Sequence, residues 1–208
     1  MTNEEVMRAF RSLLDDGDLT CTVSDALGRT GALSADFRPV WPGARLIGEA
    51  VTVRTFGTDL SAVFDGIQAA VPGSVLIIDS HGIRNAAFWG ERTTRMAQAR
   101  GLAGTVIDGA CRDVVAISRL QYPVFSTAIT PNAGLPGGRG SVNQTVQAGG
   151  IPVQPQDLVI ADENGVVVIP QALASEILQR VHAALDDERK AFVLAAQGAS
   201  VPPSNPRE

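Results

Sequence analysis

The chain has 208 residues, 45% hydrophobic and 19% charged, with few aromatics and a formal net charge of −5. That composition suits one packed globular domain with a core of Val, Ile, Leu and Ala, and the acidic balance without any basic block argues against nucleic acid, whose phosphates require a cationic face. No apolar run approaches the ~18 residues of a membrane span, and the acidic start Met1-Thr2-Asn3-Glu4-Glu5 has no apolar signal core, so a soluble, cytoplasmic protein without membrane contacts is expected.

Thr2-x-x-Glu5 forms a capping box, and Val6, Phe10, Leu13 and Leu14 recur at helical spacing up to a stop at Gly17. The chain therefore opens on an amphipathic helix. Residues 44–56 read as a strand. Asp59 is placed to cap a helix carrying Leu60, Val63, Phe64 and Ile67, closed by Pro72-Gly73. Residues 74–79 read as a buried strand, 80–85 as a loop, and 87–100 as a helix stopped by Gly101. A second apolar run, Thr105 to Ile107, reads as a buried strand ended by the turn signal Asp108-Gly109. Beyond Asp113, the residues Val114, Val115, Ile117 and Leu120 recur at helical spacing. Residues 122–127 read as another strand, and 130–140, rich in Gly and Pro, as a long loop of the kind that is often functional. Residues 157–161 and 166–169 form a hairpin across Asp162-Glu163-Asn164-Gly165. Residues 171–196 read as a closing helix with Leu173, Ile177, Val181 and Leu185 on one face. The proline-rich end, 197–208, is expected to be a disordered tail following a single domain over 1–196. Strands and helices alternate through the middle and hairpin strands lie at the ends, which predicts an α/β domain with a mixed sheet.

Two constellations carry chemistry. Arg112 and Asp113 stand where a strand hands over to a helix, the position at which α/β folds bind ligands. A fixed cation beside a carboxylate suits a small anionic substrate held together with a divalent metal; an Asp complementing a helix dipole is the structural alternative. In Phe88-Trp89-Gly90-Glu91-Arg92-Thr93 a loop enters a helix. Gly90 permits close approach to the backbone, and free amides at a helix start bind carboxylates or phosphates; a plain helix start with Glu91 on the dipole is the alternative. Both lie on one right-handed strand–helix–strand unit and so can open on the same sheet edge.

The remaining signals are weaker. Residues 133–140 lack the Gly-Lys-Ser/Thr ending of a phosphate loop and read as a flexible or interface loop. The two histidines match no zinc signature. His182 reads as structural, and His81 as a surface histidine or a proton-transfer candidate. Cys21 and Cys111 have no metal or redox spacing and read as buried thiols, although Arg112 beside Cys111 could lower its pKa.

The motifs Asp25-Ala26-Leu27-Gly28-Arg29-Thr30-Gly31, Trp89-Gly90-Glu91, the run from Arg100 to Asp113 ending in Gly-x-x-Arg-Asp, Pro123-Val124-Phe125, Gly149 to Val153, and Asp157 to Pro170 resemble the RraA-like family. That family joins regulators of ribonuclease activity with class II 4-hydroxy-4-methyl-2-oxoglutarate and 4-carboxy-4-hydroxy-2-oxoadipate aldolases. The resemblance covers roughly residues 20–190. It implies a three-layer sandwich of the swivelling β/β/α type around a mixed sheet. It also implies homotrimers or homohexamers with active sites at subunit interfaces. By the same resemblance Arg112 binds the 2-oxo acid and Asp113 holds the divalent metal (Mg2+, Mn2+ or another) through a shell of waters. The amides of Gly90, Glu91, Arg92 and Thr93 hold the pyruvate carboxylate. Regulatory members typically lack the metal-binding acid, so Asp113 favours an enzyme. Ser80 to Asn85 is more basic than usual, and Arg92 and Thr93 replace residues that are often aliphatic.

The expected function is a divalent-metal-dependent pyruvate aldolase that also decarboxylates oxaloacetate, since both reactions pass through the pyruvate enolate. The alternative is a non-catalytic regulator that binds a ribonuclease or helicase. A third reading keeps the metal site and lets Arg84 and Arg92 accept a substrate with an extra carboxylate. Glu188 is either a residue that crosses to a neighbouring subunit or part of a solvated helix face.

Overall fold

In a computed structural model of the chain, residues 1–196 are described; the expected tail, 197–208, lies outside the described residues. Helix α1 (Asn3–Asp16) starts as the sequence dictates. The Thr2 hydroxyl accepts from the Glu5 amide at 3.2 Å, and the Glu5 carboxylate accepts from the Thr2 amide at 2.8 Å. The helical spacing buries Val6, Phe10 and Leu14. Helix α2 (Thr20–Ala26) follows, then β1 (Arg38–Pro39).

The central run is β2 (Leu46–Arg54), α3 (Ser61–Ala69), β3 (Val75–Trp89), α4 (Glu91–Ala99), β4 (Gly104–Cys111), α5 (Val114–Arg119) and β5 (Val124–Ile129). Strands β2 to β5 pair in parallel, each beside the one before it. Right-handed crossovers that always step in one direction place all their helices on one face of the sheet. Antiparallel strands complete the sheet: β6 (Ser141–Val142), β9 (Leu158–Asp162) and β10 (Gly165–Ile169), giving the order β1-β5-β4-β3-β2-β9-β10 with β6 also on β2. A separate ribbon, β7 (Val146–Ala148) and β8 (Ile151–Val153), covers the other face. A 3-10 turn (Gln171–Leu173) leads into α6 (Ala174–Ala196).

Strand alternation sorts the core into layers. Ala50, Val75, Ile77, Val106, Val159 and Ala161 pack with Phe37, Val146 and Val153 on the ribbon side. Val53, Leu76, Ile78 and Ile107 meet Val63, Ile67, Ala97 and Ile117 of α3, α4 and α5. Ile47, Leu158, Ile160, Val167 and Ile169 meet Phe10, Val23, Ile177 and Val181 of α1, α2 and α6. Helices, mixed sheet and small β layer make the expected three-layer sandwich. Among the described residues no helix is long and apolar enough to cross a membrane.

Several local expectations need correction. The segment 80–85 is not a loop: β3 runs on to Trp89, kept extended beside β4 through register shifts between Asp79 and Trp89. Helix α4 accordingly begins at Glu91 rather than 87. Asp108-Gly109 does not turn; β4 continues to Cys111, with the Asp108 carboxylate held by the Gly149 amide at 2.9 Å and the Ser80 hydroxyl packed where a Gly109 side chain would stand. Cys21 is exposed. Cys111 is buried, and burial pushes its thiol up rather than Arg112 drawing it down. Val115 and Leu173 are exposed.

Candidate active site

The parallel strands β3 and β4 end side by side, and their last residues carry the site. The Trp89 indole donates to the Thr94 hydroxyl at 2.8 Å and stacks on Tyr122 with ring centroids 6.1 Å apart, which fixes the strand end. The Arg112 amide donates to the Trp89 carbonyl at 2.9 Å and ties the two strand ends together. Gly90 then caps α4. Its amide donates to the Thr93 hydroxyl at 2.9 Å, and that hydroxyl donates back to the Gly90 carbonyl at 3.0 Å.

Asp113 has φ 59° and ψ 36°, the left-handed region, which costs a non-glycine residue on the order of 1 kcal/mol. This turn brings its Oδ2 within 3.0 Å of the Glu91 amide and 3.6 Å of the Arg112 Nε. The Arg112 and Asp113 side chains are 45% and 39% exposed. A Cβ on Gly90 would lie 2.6 Å from the Asp113 Oδ2 and 3.1 Å from the Arg112 Cγ, so only glycine lets the three residues meet.

Above them opens a cleft of about 580 Å3, lined among others by Phe64, Gly90, Arg92, Thr93, Arg112 and Asp113 and closed on one side by the loop 133–136. The amides of Arg92 and Thr93, at the start of the nine-residue α4, find no acceptor among the described residues. Those of Gly90 and Glu91 are spent on Thr93 and Asp113. Two of the four amides expected to receive a carboxylate are therefore already engaged within the chain. The Glu91 carboxylate turns away to pair with Arg95 at 2.7 Å. The Arg92 guanidinium stands 5.6 Å from the Phe64 ring centroid.

Other candidates lie elsewhere. His81 has its Nδ1 3.5 Å from the Asp79 Oδ1, on the ribbon side, where Asp79 also meets Arg54 and the Gln147 amide. Burial pushes the neighbouring Asp108 carboxyl up, and Asp79 adds to the shift. The Arg84 guanidinium donates to the Thr127 carbonyl at 2.6 Å. Neither His81 nor Arg84 lines the cleft. His182 is exposed on α6 rather than structural, and Glu188 is likewise exposed on α6.

The reading of Asp59 as a simple cap missed most of its role. It is buried, and its carboxylate accepts from the Ser61 amide at 2.9 Å, the Gly137 amide at 2.8 Å and the Arg139 amide at 2.9 Å. Those backbone donors hold its pKa down at about 2. Asp59 therefore fastens the glycine-rich loop beside the cleft. The signal available in sequence was an Asx residue at a helix entry together with a loop full of free amides.

Among the described residues no cluster of three or more His, Cys, Asp or Glu can cage a metal. Asp113 still fits one kind of ion. Its Oδ2 is occupied, whereas its Oδ1 has no hydrogen-bond partner among the described residues. A single free carboxylate oxygen in an open cleft suits a hard, hydrated cation such as Mg2+, which keeps most of its waters.

The chain is thus a layered α/β protein with an arginine–aspartate pair facing a helix start. More particularly, the sequence model of the RraA-like family, described as Aldolase/RraA, matches residues 20–168, and the chain belongs to that family. It is 35% identical over 161 residues to a Halalkalibacterium halodurans protein provisionally named a 4-hydroxy-4-methyl-2-oxoglutarate aldolase, covering 77% of each chain. It is 30% identical over 152 residues to the 4-hydroxy-4-methyl-2-oxoglutarate aldolase of Thermus thermophilus, covering 73% of this chain and 92% of that one. The crystal structure of the RNA-processing inhibitor RraA from Thermus thermophilus superposes with a TM-score of 0.67 at 29% identity, over 74% of this chain and 93% of that one. Names among the relatives thus point to an aldolase.

Proposed function

We propose that the protein is a divalent-metal-dependent aldolase that cleaves 4-hydroxy-4-methyl-2-oxoglutarate-type acids to pyruvate and also decarboxylates oxaloacetate in the cytoplasm. The observation that carries this reading is the Arg112–Asp113 pair locked against the start of α4, with one carboxylate oxygen and two helix amides free. The amides of Arg92 and Thr93, aided by the helix dipole, receive the carboxylate of the 2-oxo acid. Asp113 would hold Mg2+ or Mn2+, which when bound supplies Lewis-acid polarisation of the keto oxygen. Arg112 contributes a permanent positive charge where the oxygen becomes negative. The C3–C4 bond of the substrate breaks, its electron pair moves to C3 and spreads onto the C2 oxygen, and the C4 hydroxyl loses its proton to water in the cleft as a second carbonyl forms. A proton delivered to C3 completes pyruvate. Oxaloacetate loses CO2 through the same charge distribution.

The same reading includes a homotrimer or homohexamer whose neighbouring subunit covers the open cleft. Leu135 on the cleft wall and Phe56 after β2 are 77% and 59% exposed, which supports it. The likeness to the inhibitor RraA favours a second reading, a regulator that binds a ribonuclease or helicase; the retained Asp113 weighs against it.

The test is pyruvate release from 4-hydroxy-4-methyl-2-oxoglutarate and from oxaloacetate, coupled to lactate dehydrogenase, with Mg2+ and then with excess EDTA. Turnover lost on chelation is expected. Asp113→Ala should lower kcat/KM by ~100-fold or more, the scale of a lost Lewis acid. Full activity in that variant sinks the mechanism. Capture of a ribonuclease by a protein without turnover establishes the regulator instead.

A further inference from the structure

We propose that Arg92 reads a second carboxylate at the far end of the substrate, so that the cleft selects 2-oxo dicarboxylates over monocarboxylates of the same length. The inference rests on the aldolase reading for the seat of the first carboxylate.

Charge is the first reason. The cleft is lined by two guanidinium groups, Arg92 and Arg112, and by one carboxylate, Asp113, already engaged by Arg112 and the Glu91 amide. Arg92 has no acidic partner among the described residues. The acid beside it on α4, Glu91, pairs with Arg95 instead. A substrate bearing one carboxylate leaves Arg92 unmatched; a dicarboxylate does not.

Placement is the second reason. A guanidinium seated over an aromatic face is held in position while its N–H edge stays free for a planar anion. Phe64 thus fixes the arm of Arg92 without using its donors. Its place in the first turn of α4 adds the positive end of the helix dipole. The cleft, at about 580 Å3, has room beyond the pyruvate moiety. The other arginine that the sequence raised for this role, Arg84, is tied to the Thr127 carbonyl and does not line the cleft.

In the cleavage of a 4-hydroxy-2-oxo diacid, the second carboxylate belongs to the carbonyl fragment that departs. It carries the same charge before and after the C3–C4 bond breaks. Arg92 therefore binds ground and transition states alike, and its removal shows chiefly in KM.

The deciding comparison is kcat and KM for 4-hydroxy-4-methyl-2-oxoglutarate against 4-hydroxy-4-methyl-2-oxopentanoate, which has a methyl group in place of the distal carboxylate. The wild-type protein should prefer the diacid by roughly 10- to 100-fold, the range of a hydrogen bond to a charged group. Arg92→Met should collapse that preference through KM, and Arg92→Lys should keep part of it. Arg92 is exposed, so neither change threatens the fold. A full diacid preference in Arg92→Met overturns the inference while leaving the aldolase reading standing. Calorimetric binding of 2-oxoglutarate against 2-oxopentanoate, with Mg2+ present, separates the two ideas further. No turnover of either hydroxy acid, together with an Arg92-dependent preference for 2-oxoglutarate, removes the aldolase and keeps the carboxylate reader. Equal binding of both acids by wild type and Arg92→Met removes the reader.

Discussion

A single missing methyl group sets the geometry at Gly90. The carbon of an alanine there would stand 2.6 Å from the Asp113 Oδ2 and 3.1 Å from the Arg112 Cγ, and neither contact can be relieved without moving the pair. Displacements of about 1 Å in a catalytic constellation can cost ~100-fold in rate. Gly90→Ala should therefore reduce kcat/KM by about that factor while far-UV circular dichroism stays that of the wild type. Unchanged turnover would mean that Arg112 and Asp113 are not the working groups. The pair and the glycine were legible because each lies at a strand–helix junction marked by local spacing. What lay beyond reading was conformational. Nothing in the run Cys111-Arg112-Asp113 announces that Asp113 adopts a left-handed backbone, or that this turns its carboxylate onto the Glu91 amide and so takes one donor out of the expected cradle. Thr93 also acts through its hydroxyl as the cap of α4, a role that its expected part as an amide donor does not announce.

Between elements, the decisive link is the one from the entry of α3 to the loop 133–140. Three backbone amides converge on Asp59, a pattern that favours the charged form and holds its pKa at about 2, against an ordinary 3.8. A carboxyl whose pKa falls on folding contributes stability that is fully present above the unfolded value and is lost as pH drops through the folded one. The contribution should fade between about pH 4 and pH 2. Asparagine offers one carbonyl oxygen and a donor group that opposes the third amide, so Asp59→Asn should melt below the wild type at pH 7, and the gap should close across that acid window. The loosened loop should also raise KM, since its residues Ala133 to Pro136 wall the cleft. Parallel melting curves at pH 7 and pH 2.5 with a KM measurement check both; a gap that persists undiminished at pH 2.5 means that the carboxylate charge is not what fastens the loop. Element boundaries show the same limit of local reading. The polar stretch 80–85 has loop composition, yet pairing with β4 keeps it extended through its bulges. The strands of the ribbon, β7 and β8, are three residues each, too short to show a period.

At the scale of the whole molecule, the alternating apolar runs were enough for the parallel core, because right-handed crossovers leave little choice once four strands and three helices are ordered. The covering β layer was not, since its burial depends on partners far away in sequence. The parallel strands also define an edge with a consequence for assembly. Phe56 follows β2, Ile129 ends β5 and Leu135 sits in the loop beside Asp59; at 59%, 63% and 77% exposure they leave apolar surface at the carboxyl ends of the strands, around the cleft. Removing such surface from water yields roughly 25 cal/mol per Å2 and is the ordinary drive for association. In the proposed trimer or hexamer this edge meets a second copy, which would both bury these side chains and shield the cleft from solvent. Sedimentation velocity should then show a species three or six times the monomer mass. Leu135→Asp, by putting a charge into that contact, should shift the distribution toward smaller species and lower turnover in step with dissociation. A wild-type monomer with full activity would show instead that one chain holds everything the reaction needs, and that the apolar edge serves something other than the site.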